Sequence, residues 1–177
     1  MRRVGDSARQ NRQREVPTVS IRTIIIGGVA ASLLIAMWEM VIEALLPDGA
    51  GFFGPPIAIG ATIVRDLQGA GNPIPFDLPA LAVGLAGHMM NSIILGAIFG
   101  SLLGRRGLGT VQLVASGVAW GIGVFAVMWF VVVPIVDPLV LNLDPIAFLA
   151  GHVMWGAALG FFWGRYAIAR ATSFRPA

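Results

Sequence analysis

Three ionisable side chains stand in strongly apolar stretches of this chain: Glu39, His88 and His152. The histidines are the only two in the sequence, and they hold equivalent places in a repeated stretch. Residues 86–100 read AGHMMNSIILGAIFG and residues 150–164 read AGHVMWGAALGFFWG. Glu39 lies in MWEMVIE, with Glu43 four residues on and on the same helical face. Such residues in apolar helices support three chemistries. Two histidines on opposed helices can supply both axial ligands of a b-type haem, which makes His88 and His152 candidate haem ligands. Imidazole with thioether from Met37, Met40, Met89, Met90, Met128 and Met154 suits copper(I). Glu39 with the histidines could relay protons or ions, since an acid inside a membrane span is a functional candidate by default. A plainer reading stands beside each: polar groups bond to neighbouring helices, and methionine fills irregular gaps. No ligand geometry can be read from spacing, so no metal site is assigned, and haem stays an alternative to no cofactor at all.

The elements that would position these groups follow from composition. Of 177 residues, 56% are hydrophobic and 12% charged, and mean hydropathy is +0.81. A soluble domain carries about 25% charged residues. A membrane-spanning helix needs about 20 mostly apolar residues. Four segments qualify: 23–46, 78–103, 111–136 and 146–166. There is no cysteine, which excludes disulfides and thiolate metal sites. The net charge of +3 does not indicate nucleic-acid binding, because the basic residues follow a topological pattern. All of them are arginine, and all but Arg65 lie in the N-terminal tail, the link between the second and third segments, or the C-terminal end. The positive-inside rule then places both termini in the cytoplasm. The first segment is too long for a signal-peptide core and lacks a clear cleavage site.

Within the repeat, small residues recur every four positions. One stripe is Ser92, Gly96, Gly100 and Gly104; the other is Gly156, Gly160 and Gly164. On a helix these positions share one slowly drifting face. In lipid such stripes let two backbones approach closely. The histidines stand at the outer ends of both stripes, so they should face other helices. MWEMVIEALLP in the first segment and MWFVVVP in the third extend the repeat to a whole two-helix hairpin, with halves 23–104 and 111–166. A tandem repeat of this kind predicts halves related by a pseudo-two-fold axis along the membrane normal. That symmetry would bring Glu39, His88 and His152 near the axis in the outer half of the bundle.

Outside the spans, residues 1–22 read as an Arg-rich cytoplasmic tail and 167–177 as a C-terminal one. The first outer loop, 47–77, is rich in glycine and proline. After Pro55 and Pro56, residues 57–67 place Ile59, Ile63, Val64 and Leu67 together opposite Arg65 and Asp66, which predicts a short amphipathic helix on the outer face. Glu43, close to the outer end of its helix, reads as an interfacial, hydrated carboxylate. Asp137-Pro138 and Asp144-Pro145 read as turn and helix-start signals. The chain has no HExxH, P-loop, GxSxG or cysteine-cluster motif, and is read as non-enzymatic.

The segments MWEMVIEALLP, AGHMMNSIILGAIFG and AGHVMWGAALGFFWG resemble a group of small uncharacterised prokaryotic four-helix membrane proteins associated with respiratory oxidase genes. The resemblance covers about residues 23–166 and makes Glu39, His88 and His152 the family-like positions. It implies a respiratory electron-transfer setting in a prokaryotic cytoplasmic membrane. The expectation is therefore an all-α, integral membrane four-helix bundle built from a tandem hairpin repeat. Its expected function is that of a non-catalytic accessory subunit among lipid and other membrane subunits. A bis-histidine haem b protein and a proton or ion path through Glu39 are the alternatives.

Overall fold

A computed structural model describes residues 21–103, 106 and 108–173, with side chains described for 25–165 outside the gaps. The N-terminal tail before Ile21, Gly104 of the first stripe, Arg105, Gly107 and the last four residues lie outside the described residues. Among the described residues the chain is all-helical, with no strand. Helix α1 covers Ile21–Leu45, α2 Gly54–Gly60, α3 Leu78–Leu103, α4 Thr110–Val127 and α5 Pro145–Ser173. Helix α4 continues through a π-helical turn, Met128–Val132, and one further α turn, Val133–Val136. Four helices are long and apolar enough to cross a membrane: Ile25–Leu45, Leu78–Leu103, Thr110–Val136 and Pro145–Arg165. These agree with the four expected segments to within a residue or two at most ends.

The helix starts have local causes. Asp77 Oδ1 accepts the Ala80 amide at 2.7 Å and opens α3. Asp144 Oδ1 accepts the amides of Ile146 and Ala147 at 2.9 and 2.8 Å and opens α5. Each carboxylate takes up donors that the first helical turn leaves free and suits its dipole. The π turn has a cause as well. Pro134 has no amide to donate back into the ladder, and just before it the Val133 amide bonds the Met128 carbonyl, five residues back.

Helix α1 lies between α3 and α5, and α5 lies between α1 and α4. Helices α3 and α4, although joined by a short link, meet only at their margins. The bundle is thus a ring with one loose seam. The two hairpins pack internally by glycine. A Cβ on Gly117 or Gly156 would collide with the other's carbonyl oxygen, Gly121 meets the His152 carbonyl, and Gly160 meets Leu113. The α5 stripe of Gly156, Gly160 and Gly164 therefore lies against α4. The α3 stripe serves two neighbours: Gly96 lies near Leu159 and Gly28, and Gly100 leaves the space that the Trp163 indole fills. Ser92 is buried beside them.

The short helix differs from its expectation in place and in burial. It spans Gly54–Gly60 instead of 57–67, and Pro55, Pro56, Ile57 and Ala58 are buried. Gly60 sits on the Ala80 carbonyl and Gly84 on that of Pro56, so α2 is wedged backbone to backbone against the start of α3. Ile63, expected on the apolar face, is exposed. The missing Cβ atoms at 60 and 84 let the segment sink into the bundle, which a pattern of apolar side chains alone does not reveal.

Candidate functional site

A cavity of about 400 Å³ lies at the loose seam, towards the end that carries the two long loops. Every long helix contributes to its wall: Glu39 from α1, His88 and Ser92 from α3, Val124 and Met128 from α4, His152 and Trp155 from α5. Ile94 and Val136 line the cavity and are also exposed at the molecular surface, so it opens sideways between α3 and α4. The π turn forms part of the α4 wall through Met128 and Val132. A single π turn of this kind locally displaces the helix face and is frequent at functional sites.

The three residues singled out by type converge here. Counted along their helices, Glu39 stands ~9 Å, His88 ~15 Å and His152 ~10 Å from the long-loop end. Glu39 is 3% exposed, and its Oε1 has no hydrogen-bond partner. The carboxyl lies over Gly151: a Cβ there would stand 3.0 Å from Oε1 and 2.9 Å from Ile35 Cγ1. The glycine before His152 thus makes room for an acid from another helix. Gly87, its counterpart before His88, has open space around it, with Ile59 at 4.0 Å.

The two histidines are held differently. His88 Nε2–H donates to the Ser32 carbonyl of α1 at 3.2 Å, leaving Nδ1 free. His152 Nδ1–H donates to the Phe148 carbonyl one turn back at 2.8 Å, leaving Nε2. The His152 ring is boxed by Phe148 at 4.5 Å and Phe125 at 6.1 Å between centroids. Trp155, one turn further along α5, is 3% exposed, and its Nε1–H has no partner. An orphaned buried polar group costs about 1–3 kcal/mol; Ser32 Oγ and Trp120 Nε1 are two more, on residues that do not line the cavity. Of the methionines, Met37 and Met90 face outwards, and no cluster of His, Asp and Glu that could hold a metal ion occurs among the described residues.

Glu43 departs from its expectation. It is 2% exposed, and both carboxylate oxygens are used. Oε2 accepts the Ala50 amide at 2.8 Å and Oε1 accepts the Asp144 amide at 2.6 Å. It ties the loop after α1 to the loop before α5. The two loops fold over the bundle end, so the carboxylate meets backbone donors instead of water. Asp137, expected in a simple turn, is buried and accepts from Thr62 Oγ1 at 2.6 Å and from Gln68 Nε2. Arg65 donates to the Val136 carbonyl, and Asn72 and Asn142 add bonds across the same loops. Together these form a cross-linked cap, and Thr62 and Asp137 line the cavity at that end of the bundle.

On the other side the cavity ends in apolar core. Phe99, Leu113, Leu159 and Trp163 fill the bundle towards the arginine-bearing end. Sequence reasoning did not single out Trp155, Gln68, Gly117 or Gly121, and read Asp137 only as a turn residue. The four-residue spacing of Gly117 and Gly121 carried the same signal as the stripes that were recognised. Gln68 and Asp137 are far apart in the chain, and nothing in the sequence signalled their pairing. Comparisons with protein-family models, curated proteins and solved structures return no match.

Proposed function

We propose that this chain is a multi-pass protein of a prokaryotic cytoplasmic membrane, with both termini inside. It serves as a non-catalytic binding subunit that holds a lipid-soluble guest at the α3–α4 seam. One observation carries the reading: Glu39, His88 and His152 converge on the wall of a cavity that opens sideways between two apolar helices. A guest entering from that side comes from the hydrocarbon, and a few convergent polar groups in an apolar pocket are the usual mark of a small-molecule site. The arginine distribution supports the orientation. The paired hairpins support a duplicated origin, with the α3–α4 contact opened relative to its counterpart, α1–α5. In the respiratory setting that the resemblance implies, the subunit sits beside an electron-transfer complex.

Two other readings have weaker support. Haem-ligating histidines usually bond a second group through one nitrogen and bind iron through the other. His152 has that form through Nε2, but His88 commits Nε2 to Ser32 and leaves Nδ1. A proton or ion path requires polar groups to continue across the bundle, and Phe99, Leu159 and Trp163 stand in the way. The test is extraction in mild detergent, with an absorption spectrum and mass spectrometry of the same particle. Oxidase or reductase subunits are expected in the particle, and this chain, once freed of them, is expected to show no Soret band of its own. A Soret band lost in both His88→Ala and His152→Ala would replace this reading with haem transfer. A colourless homo-oligomer that conducts ions would overturn it.

A further inference from the structure

Resting on the binding reading above, we infer that Asn91 anchors the guest, a neutral lipid whose uncharged carbonyl or hydroxyl oxygen meets the Asn91 amide. Three residues that line the cavity are also exposed at the molecular surface: Asn91 and Ile94 on α3 and Val136 on α4. Asn91 is thus the polar residue at the mouth. Its side chain makes no hydrogen bond among the described residues. The α3 side chains that do are His88, on the Ser32 carbonyl, and Ser101, on the Ala97 carbonyl one turn back. Unlike the orphaned indoles, Asn91 is an exposed residue, with space beside it for a guest.

Depth restricts the chemistry of that guest. Asn91 stands midway along α3, ~20 Å from Leu78 and ~18 Å from Leu103. The hydrocarbon core of a bilayer is about 30 Å thick, so lipid phosphates stay ~15 Å from this level. A phosphate or carboxylate drawn down to Asn91 would lose its hydration, and no arginine or lysine lines the cavity to replace it. Asparagine, unlike arginine or lysine, is too short to reach the interface itself. Its amide holds one acceptor and two N–H donors, which hydrocarbon leaves unpaired. A carbonyl oxygen accepts an N–H, and a hydroxyl both accepts and donates. The other two residues of the mouth, Ile94 and Val136, suit an alkyl tail that continues into the lipid.

The test is ligand-dependent stabilisation of the full chain in lipid nanodiscs, with methyl undecyl ketone, tridecanol and tridecane as probes. The ketone and the alcohol each carry one uncharged oxygen; tridecane carries none. At least one oxygenated probe should raise the unfolding temperature saturably, and tridecane should do so much less. Which of the two acts more strongly tells a carbonyl guest from a hydroxyl one. Asn91→Leu should weaken the oxygenated probe about three- to tenfold and leave the tridecane response unchanged. Met90→Leu, next in the chain but outside the cavity lining, should bind every probe as the wild type does. Equal responses to all three probes, or wild-type binding by Asn91→Leu, would overturn the Asn91 assignment and leave the binding reading standing. A wild-type oligomer that Asn91→Leu converts to monomer would overturn the assignment too, by placing a second copy's helix on the amide. No response to any probe, in protein that still unfolds cooperatively, would overturn both.

Discussion

Glu39 and Glu43 are one turn apart on α1 and both almost fully buried, yet they should respond in opposite ways to loss of the carboxyl. Each Glu43 oxygen accepts a backbone amide, from Ala50 and from Asp144. Glu43→Leu keeps the volume and orphans both donors. At about 1–3 kcal/mol for each stranded donor, the loss is roughly 2–6 kcal/mol. Glu43→Gln keeps one acceptor and turns an amide N–H₂ towards the other donor, so it should fall between. Glu39 has an oxygen with no partner, so Glu39→Leu removes a desolvated polar group and should be neutral or stabilising by about 1 kcal/mol. The assay is unfolding by sodium dodecyl sulfate from mixed micelles, followed by far-ultraviolet circular dichroism. The predicted order of stability is Glu39→Leu at or above wild type, then Glu43→Gln, then Glu43→Leu. If Glu39→Leu costs as much as Glu43→Leu, or if Glu43→Leu costs nothing, the assignment of one acid to structure and the other to the cavity is wrong.

Two further outcomes follow from the glycine contacts. Gly156→Ala forces a methyl onto the Gly117 carbonyl and should destabilise by about 1–3 kcal/mol in the same assay, whereas Gly123→Ala, with open space around it, should be neutral or better by up to about 1 kcal/mol. Gly151→Ala crowds the Glu39 carboxyl and Ile35, so combining it with Glu39→Ala should recover part of its cost, with a coupling of about 0.5–3 kcal/mol in a double-mutant cycle; strict additivity would refute the contact.

The long helices were legible because length and hydropathy alone specify them. The α5 stripe was legible because Gly156, Gly160 and Gly164 repeat at the period of a helix face. The convergence of Glu39, His88 and His152 followed from depth counting and from the expectation that polar groups turn inwards. The cap was not legible. Glu43 looked hydrated because distance from the helix end was the only guide, and that guide does not know that two loops fold over it. Helix α2 was misplaced because its burial depends on Gly60 and Gly84, two missing side chains on different elements, while apolar periodicity records only the side chains that are present. Trp155 passed as an ordinary aromatic, since an indole's hydrogen-bond debt appears only when its surroundings are known. The cavity itself depends on how loosely α3 meets α4, a tertiary property that no local pattern encodes.

The central claim is that the α3–α4 seam holds a guest drawn from the membrane. Native mass spectrometry of the protein ejected from lipid nanodiscs, wild type beside Val124→Phe, tests it most directly, because Val124 lines the cavity and a phenyl ring there projects into the space a guest would use. The account predicts one retained small molecule per chain in the wild type and its loss in the variant, with helical content unchanged. An identical mass for the bare chain in both, from protein that remains folded, would contradict it.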